Sequence, residues 1–172
     1  MKKLNIGCGP DYKKGFVNLD YNSEYKTDIN HNLDKFPYPF KKAEFDYVYC
    51  SHVLEHVSDL FKTLKELERI TKVGGKIHIV VPHFSNGIGY NDLTHRRFFG
   101  WATFDQLMTN YYNQEFKFEI IKRRFNFLSR RYKSVNTLTS WIFNILPKQF
   151  YERFLCWIMP VGEIEVLLQR KI

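Results

Sequence analysis

Leu4-Asn5-Ile6-Gly7-Cys8-Gly9 is the stretch from which the rest of the chain is read. A short apolar run ends in two glycines around one small residue. A second run, Phe16-Val17-Asn18-Leu19-Asp20, ends in a carboxylate eleven positions after Gly9. In an open α/β sheet, ligands bind in the crevice at the carboxyl ends of the strands. Glycine there lets the backbone approach a ligand closely. A carboxylate at the end of the next strand is positioned to accept from ribose hydroxyls.

Outward from this stretch, strands and helices alternate, which predicts a mostly parallel sheet. Strands are expected at Lys3 to Ile6, Phe16 to Asp20, near Thr27-Asp28-Ile29, and at Phe45 to Cys50, Lys76 to Val81, Phe116 to Phe127 and Glu163 to Gln169. Only about a dozen residues are available for the first crossover, near the lower limit for one holding a helix, so a loop or single turn is expected. Asp59 is a good N-cap for a helix through Leu60, Leu64, Leu67 and Ile70, with Gly74-Gly75 expected to end it. Thr103 is expected to cap a short helix around Phe104 to Tyr111. Ser134 to Met159 reads as two helices broken at Pro147.

The 172 residues fit one domain with a sizeable core. Met1 to Phe116 carries 15 basic and 14 acidic residues, and Lys117 to Ile172 carries 11 basic and 4 acidic, so the net charge of +8 lies in the last third. That imbalance suits an anionic partner or a solubilising face. Cys8, Cys50 and Cys156 are an odd count without framework spacing, which points to a reducing compartment. No apolar run is long enough to span a membrane, and the expected location is cytoplasmic, with peripheral membrane contact through 134–159 as an option.

Gly7-Cys8-Gly9, the strand ending in Asp20, the strand Phe45 to Cys50 with Ser51-His52-Val53-Leu54-Glu55-His56-Val57 after it, and the Lys72-Val73-Gly74-Gly75-Lys76 turn occur in the order and spacing of one known family. The chain resembles the class I S-adenosylmethionine-dependent methyltransferases, most closely their small type 11-like branch, well over Met1 to Pro82 and by topology beyond. The resemblance implies an α/β Rossmann-like methyltransferase sheet of seven strands, the last antiparallel, here with a shortened first crossover and a helical insertion before the last strand. It also implies S-adenosylmethionine as cofactor, S-adenosylhomocysteine as product, and an active site without a fixed catalytic motif. By position, Gly7, Cys8 and Gly9 would pass under the cofactor and Asp20 would hold its ribose. Asn32 and Leu33 would meet the adenine. Cys50 and Ser51 would form the floor near the sulfonium, with His52 and His56 nearby. Asn32 stands where the family usually has an aspartate, which removes a charge-assisted acceptor.

A weakly acidic acceptor such as a sugar hydroxyl needs a base. His95, in the long polar loop from His83 to Gly100, is the first candidate, with Asp92 to orient it; His83 is the second. Arg96 and Arg97 are candidates to hold an acceptor phosphate or carboxylate, with plain surface charge as the equal alternative. His52-Val53-Leu54-Glu55-His56 matches the His-x-x-Glu-His pattern of inverted zinc proteases, but that pattern belongs within a helix and here follows a strand, so no metal is expected. The insertion carries Trp141, Phe143, Phe150, Tyr151, Phe154, Trp157 and Met159 between Lys133, Lys148 and Arg153. It reads as a packed hairpin, a lid, or a face for a membrane holding a lipid-linked glycan. A small-molecule or glycan acceptor is the first expectation. A non-catalytic binding module of the same fold and a nucleic-acid methyltransferase are the alternatives. Nothing in the sequence fixes the oligomeric state.

Overall fold

The structure is a computed structural model and describes residues 1–109, 115–128 and 133–172. The strands are β1 (Lys3–Ile6), β2 (Val17–Asp20), β3 (Ile29–Asn30), β4 (Phe45–Ser51), β5 (Thr71–Pro82), β6 (Phe118–Asn126) and β7 (Glu163–Arg170). They form one sheet in the order β3-β2-β1-β4-β5-β7-β6. Pairings are parallel through β5, and β7 runs antiparallel to both β5 and β6. This is the predicted Rossmann-like methyltransferase sheet. The order reverses beside β1, between β2 and β4, so the crevice of an open α/β sheet opens above the Gly7-Cys8-Gly9 bend.

The first crossover holds no helix, as its length required. Two buried asparagines tie down the loop instead. Asn5 Nδ2 donates to the Asp11 carbonyl and to Asn18 Oδ1. Asn18 Nδ2 donates to the Lys13 and Phe16 carbonyls and to Asp28. Buried amides so partnered avoid the cost of stranded polar groups.

Helix α1 (Leu60–Ile70) starts where expected: the Asp59 carboxylate accepts from the Lys62 N–H, and Leu64, Leu67 and Ile70 are buried against the sheet. Its end corrects the reading of Gly74-Gly75. The helix stops at Ile70, where the Thr71 hydroxyl donates to the Leu67 carbonyl, and β5 begins at once. Between the Phe45–Thr71 and Tyr47–Lys76 pairs the register shifts, so residues 72–75 bulge out of the ladder. Gly75 is needed there because a Cβ would lie 2.8 Å from the Lys72 carbonyl oxygen.

Helix α2 (Thr103–Met108) is capped otherwise than expected: the Thr103 hydroxyl accepts from the Gly100 N–H upstream of it. Tyr111, its expected end, lies outside the described residues. In the insertion, α3 (Lys133–Ile145) is a full helix, but the second segment is α4 (Lys148–Phe150) running into a π turn, Tyr151–Leu155.

A groove of about 740 Å³ lies around the amino-terminal ends of β4 and β5, away from the Gly7-Cys8-Gly9 bend. A polar chain crosses it: Tyr47 Oη is 2.6 Å from His78 Nδ1, and His78 Nε2 is 2.7 Å from Glu165 Oε1. Arg124 and Asn126 also donate to Glu165. Burial alone would raise the Glu165 carboxyl, but these donors hold it well below the usual range. A depressed folded value stabilises the fold above the unfolded value, about 4.3, and the contribution fades as pH falls below it. Glu165→Gln is therefore expected to cost about 2 kcal/mol at pH 7. In urea titrations at pH 7 and pH 3, the gap between variant and wild type should shrink at pH 3; an unchanged gap would show that the bonds contribute nothing specific to the charged form.

Candidate active site

The bend after β1 is built from two left-handed glycines, Gly7 at φ +62° and Gly9 at φ +48°. A Cβ on Gly7 would lie 2.4 Å from Val53 Cγ2, so the bend and the segment after β4 interlock. Above Gly9 there is room, the nearest side-chain atom being Tyr25 Cε2 at 4.0 Å. Asp20 fixes the bend from β2. Its Oδ2 accepts from the Gly9 N–H at 2.8 Å and its Oδ1 from the Asn22 N–H at 2.9 Å. Each oxygen keeps a second acceptor site for a ligand hydroxyl. Cys8 is buried, its N–H donating to the Leu19 carbonyl, and burial pushes its thiol up.

The other sequence candidates fall in three places. Asn32 is exposed beyond β3, its Oδ1 accepting from the Asp34 N–H, with half-buried Leu33 next to it. Cys50 is sealed in the core under Ser51, and burial pushes its thiol up. His52 follows with φ +54°. Its Nε2 is 2.9 Å from Glu163 Oε1 and its Nδ1 is 3.3 Å from Glu55 Oε1. Burial would lower this imidazole, but the two carboxylates raise it to about 9.

His56 and His95, 39 residues apart in the chain, meet with ring centroids 4.6 Å apart. Asp92 serves the first more directly than the second. It accepts from the Thr94 N–H and hydroxyl, at 2.8 and 2.6 Å, and Thr94 Oγ1 lies 2.7 Å from His56 Nδ1. His95 Nε2 stands 3.8 Å from Asp92 Oδ2, beyond hydrogen-bond distance. Burial pushes His56 below its ordinary value.

Two sequence candidates have structural partners. His83 is fully buried; the Ser85 N–H donates to its Nδ1, and its Nε2 lies 3.1 Å from Glu152 Oε1. It ties the end of β5 to the insertion and, fully buried, is closed to an acceptor, which corrects its reading as the second candidate base. Arg97 donates to the Leu54, Val57 and Ser58 carbonyls, caging the segment after β4 rather than facing a phosphate. Sequence reasoning gave no role to Glu55, Thr94 or Glu163. Only Glu55 had a signal, its place within Ser51 to Val57.

Comparison with known proteins agrees with this geometry. Residues 8–79 match the family model of a methyltransferase domain. An uncharacterised protein of Methanocaldococcus jannaschii is 41% identical over 93 residues, 45% of this chain and 39% of that one. A demethylmenaquinone methyltransferase of Staphylococcus saprophyticus is 36% identical over 74 residues, 40% of this chain and 30% of that one. The matches thus span well under half of these curated relatives. Among solved structures, a SAM-dependent methyltransferase from Archaeoglobus fulgidus superposes with a TM-score of 0.66 at 17% identity, covering 98% of this chain and 86% of that one. One from Mesorhizobium loti gives 0.62 at 14%, covering 98% and 90%. These likenesses show the fold.

Proposed function

We propose, for a chain that belongs to the class I S-adenosylmethionine-dependent methyltransferases, that it binds S-adenosylmethionine at the carboxyl ends of β1 and β2 and methylates a hydroxyl of a glycan or lipid-linked glycan precursor. One observation carries the binding half. Asp20 locks the left-handed Gly9 and still has acceptor capacity on both oxygens, above a bend that Val53 keeps free of side chain. Gly7, Gly9 and Asp20 would hold the cofactor, with Asn32 and Leu33 toward its base. When bound, the cofactor supplies an already activated methyl group. The chain has then to align the acceptor and receive its proton.

The acceptor half is supported by the His56–His95 pair beside the ends of β4 and β5. Among the described residues His95 Nδ1 has no hydrogen-bond partner, so its lone pair is uncommitted, and because the atom is buried an acceptor hydroxyl would reach it only once neighbouring side chains move. His95→Ala is expected to lower turnover by about 10²- to 10⁴-fold while leaving cofactor affinity within about twofold. Transfer of labelled methyl to fractionated glycan acceptors measures the first and calorimetry the second. Unchanged turnover would remove His95 from the reaction.

A lipid-linked acceptor is favoured by the insertion's outer face. Phe154, Trp157 and Ile158 are 59, 67 and 77% exposed. Lys148 does not serve that face, since its Nζ donates to the Phe143 and Leu146 carbonyls at the end of α3. Arg153 is exposed beside the aromatics. Among the described residues, no helix is long and apolar enough to cross a membrane, so the contact would be interfacial. Co-sedimentation with vesicles containing anionic lipid should be lost on Trp157→Ser with Ile158→Ser; absence of binding by the unaltered chain would remove the membrane.

A further inference from the structure

Glu55 is the most anomalous side chain among the described residues. It is 0% exposed, and neither carboxylate oxygen has a hydrogen-bond donor. A buried carboxylate with no donors costs several kcal/mol. His52 Nδ1 approaches Oε1 at 3.3 Å as an ion-pair contact, its other nitrogen, Nε2, lying 2.9 Å from Glu163 Oε1, and this one contact leaves Oε2 without a partner. Glu55 adjoins the two histidines, and one ligand atom from each of Glu55, His56 and His95 falls within 4.8 Å of the others.

The hydrogen bonds behind the histidines leave the right lone pairs free. Thr94 commits its hydroxyl proton to Asp92, so at 2.7 Å His56 Nδ1–H is the donor to Thr94 Oγ1, and His56 Nε2 keeps its lone pair. His95 turns Nε2 toward Asp92, and its Nδ1 is buried without a partner. A carboxylate standing behind metal-binding imidazoles is how their orientation and basicity are set. We infer that Glu55, His56 and His95 form a binding site for a divalent first-row transition ion of the zinc class. Two histidines and a glutamate are a donor set of catalytic zinc, which leaves a coordination position open. Bonds of about 2.1 Å bring tetrahedral ligand atoms to about 3.4 Å apart, so closing the site takes about an ångström of side-chain movement. The ligands are not those of the His-x-x-Glu-His pattern, because His52 turns away to Glu163 and His95 takes its place.

The inference deepens the acceptor half of the proposed function and rests on that reading only for the ion's use. There an ion would bind the acceptor oxygen and lower its pKa, in place of the bare His95 nitrogen. Ion binding itself is tested without turnover. The full chain, stripped with a chelator, is titrated with zinc alone and, separately, with cobalt for its visible absorption. One equivalent is expected at micromolar affinity or tighter, weakened at least about 100-fold by Glu55→Gln and by His95→Ala, about tenfold by Thr94→Ala, and less than about threefold by His52→Gln. Melting curves of the stripped variants beside the stripped wild type check folding, and His95→Ala, which leaves the His52–Glu55 contact in place, carries the comparison if Glu55→Gln melts lower. No stoichiometric uptake overturns the site, as does uptake that survives both Glu55→Gln and His95→Ala or needs His52 and not His95. Calorimetry with S-adenosylmethionine in chelator on the same samples separates the two proposals. Cofactor binding without zinc uptake overturns the ion site alone, and zinc uptake without cofactor binding overturns the methyltransferase reading alone.

Discussion

Gly7→Val is expected to destabilise the chain by about 2–5 kcal/mol. Two costs combine. A β-branched residue held at φ +62° is strained by about 1–2 kcal/mol. The added Cβ would also sit 2.4 Å from Val53 Cγ2, and Val53 is itself buried, so it cannot swing into solvent. Overpacking of this kind costs about 1–3 kcal/mol. Gly9→Ala separates the two costs. It shares the left-handed backbone at φ +48°, but its Cβ meets only Tyr25 at 4.0 Å, so it should cost about 1–2 kcal/mol. Urea denaturation of the three proteins measures the differences. Equal losses for Gly7→Val and Gly9→Ala would mean that Val53 does not clamp the bend.

Asp20→Ala is expected to weaken S-adenosylmethionine binding at least about 100-fold, about 2.7 kcal/mol. Charge-assisted bonds to ligand hydroxyls contribute about 1.5–3 kcal/mol each. The substitution also strands the Gly9 and Asn22 N–H groups, which now donate to the carboxylate at 2.8 and 2.9 Å. The bend should therefore loosen as affinity falls, with a loss of stability of about 1–3 kcal/mol. Calorimetry and denaturation on one preparation read both effects. A variant that loses stability and keeps its affinity would make Asp20 a brace for the bend and nothing more.

These two residues were legible in the sequence because their signals are local. A glycine pair at a strand end and a carboxylate at the next strand end are fixed by spacing along the chain, and so is the stripe of α1. The mostly parallel character of the sheet was legible for the same reason, since alternation of strand and helix favours parallel neighbours. The surroundings of the histidines were not. His83 was a candidate base by its place after Pro82, but it is fully buried and its Nε2 lies 3.1 Å from Glu152, 69 residues on. Arg97 was a candidate to hold an anion or a plain surface charge, yet its guanidinium is spent on three carbonyls of the segment after β4. His52 answers to Glu163, 111 residues away. Glu55 reads as an ordinary acid beside His56; that it lacks donors is a property of packing, which no spacing reveals. Gly74-Gly75 misled for another reason: glycine suits a helix end and a bulge alike, and the Thr71 side chain ended the helix first.

The central claim is that the Gly7-Cys8-Gly9 bend and Asp20 together hold an adenosyl sulfonium. Isothermal calorimetry of the folded chain with S-adenosylmethionine and with S-adenosylhomocysteine, repeated on Asp20→Ala, tests it. The account predicts one site binding both compounds and a loss of at least about 100-fold in the variant. No heat with either compound, or the same affinity with and without the carboxylate, would contradict it.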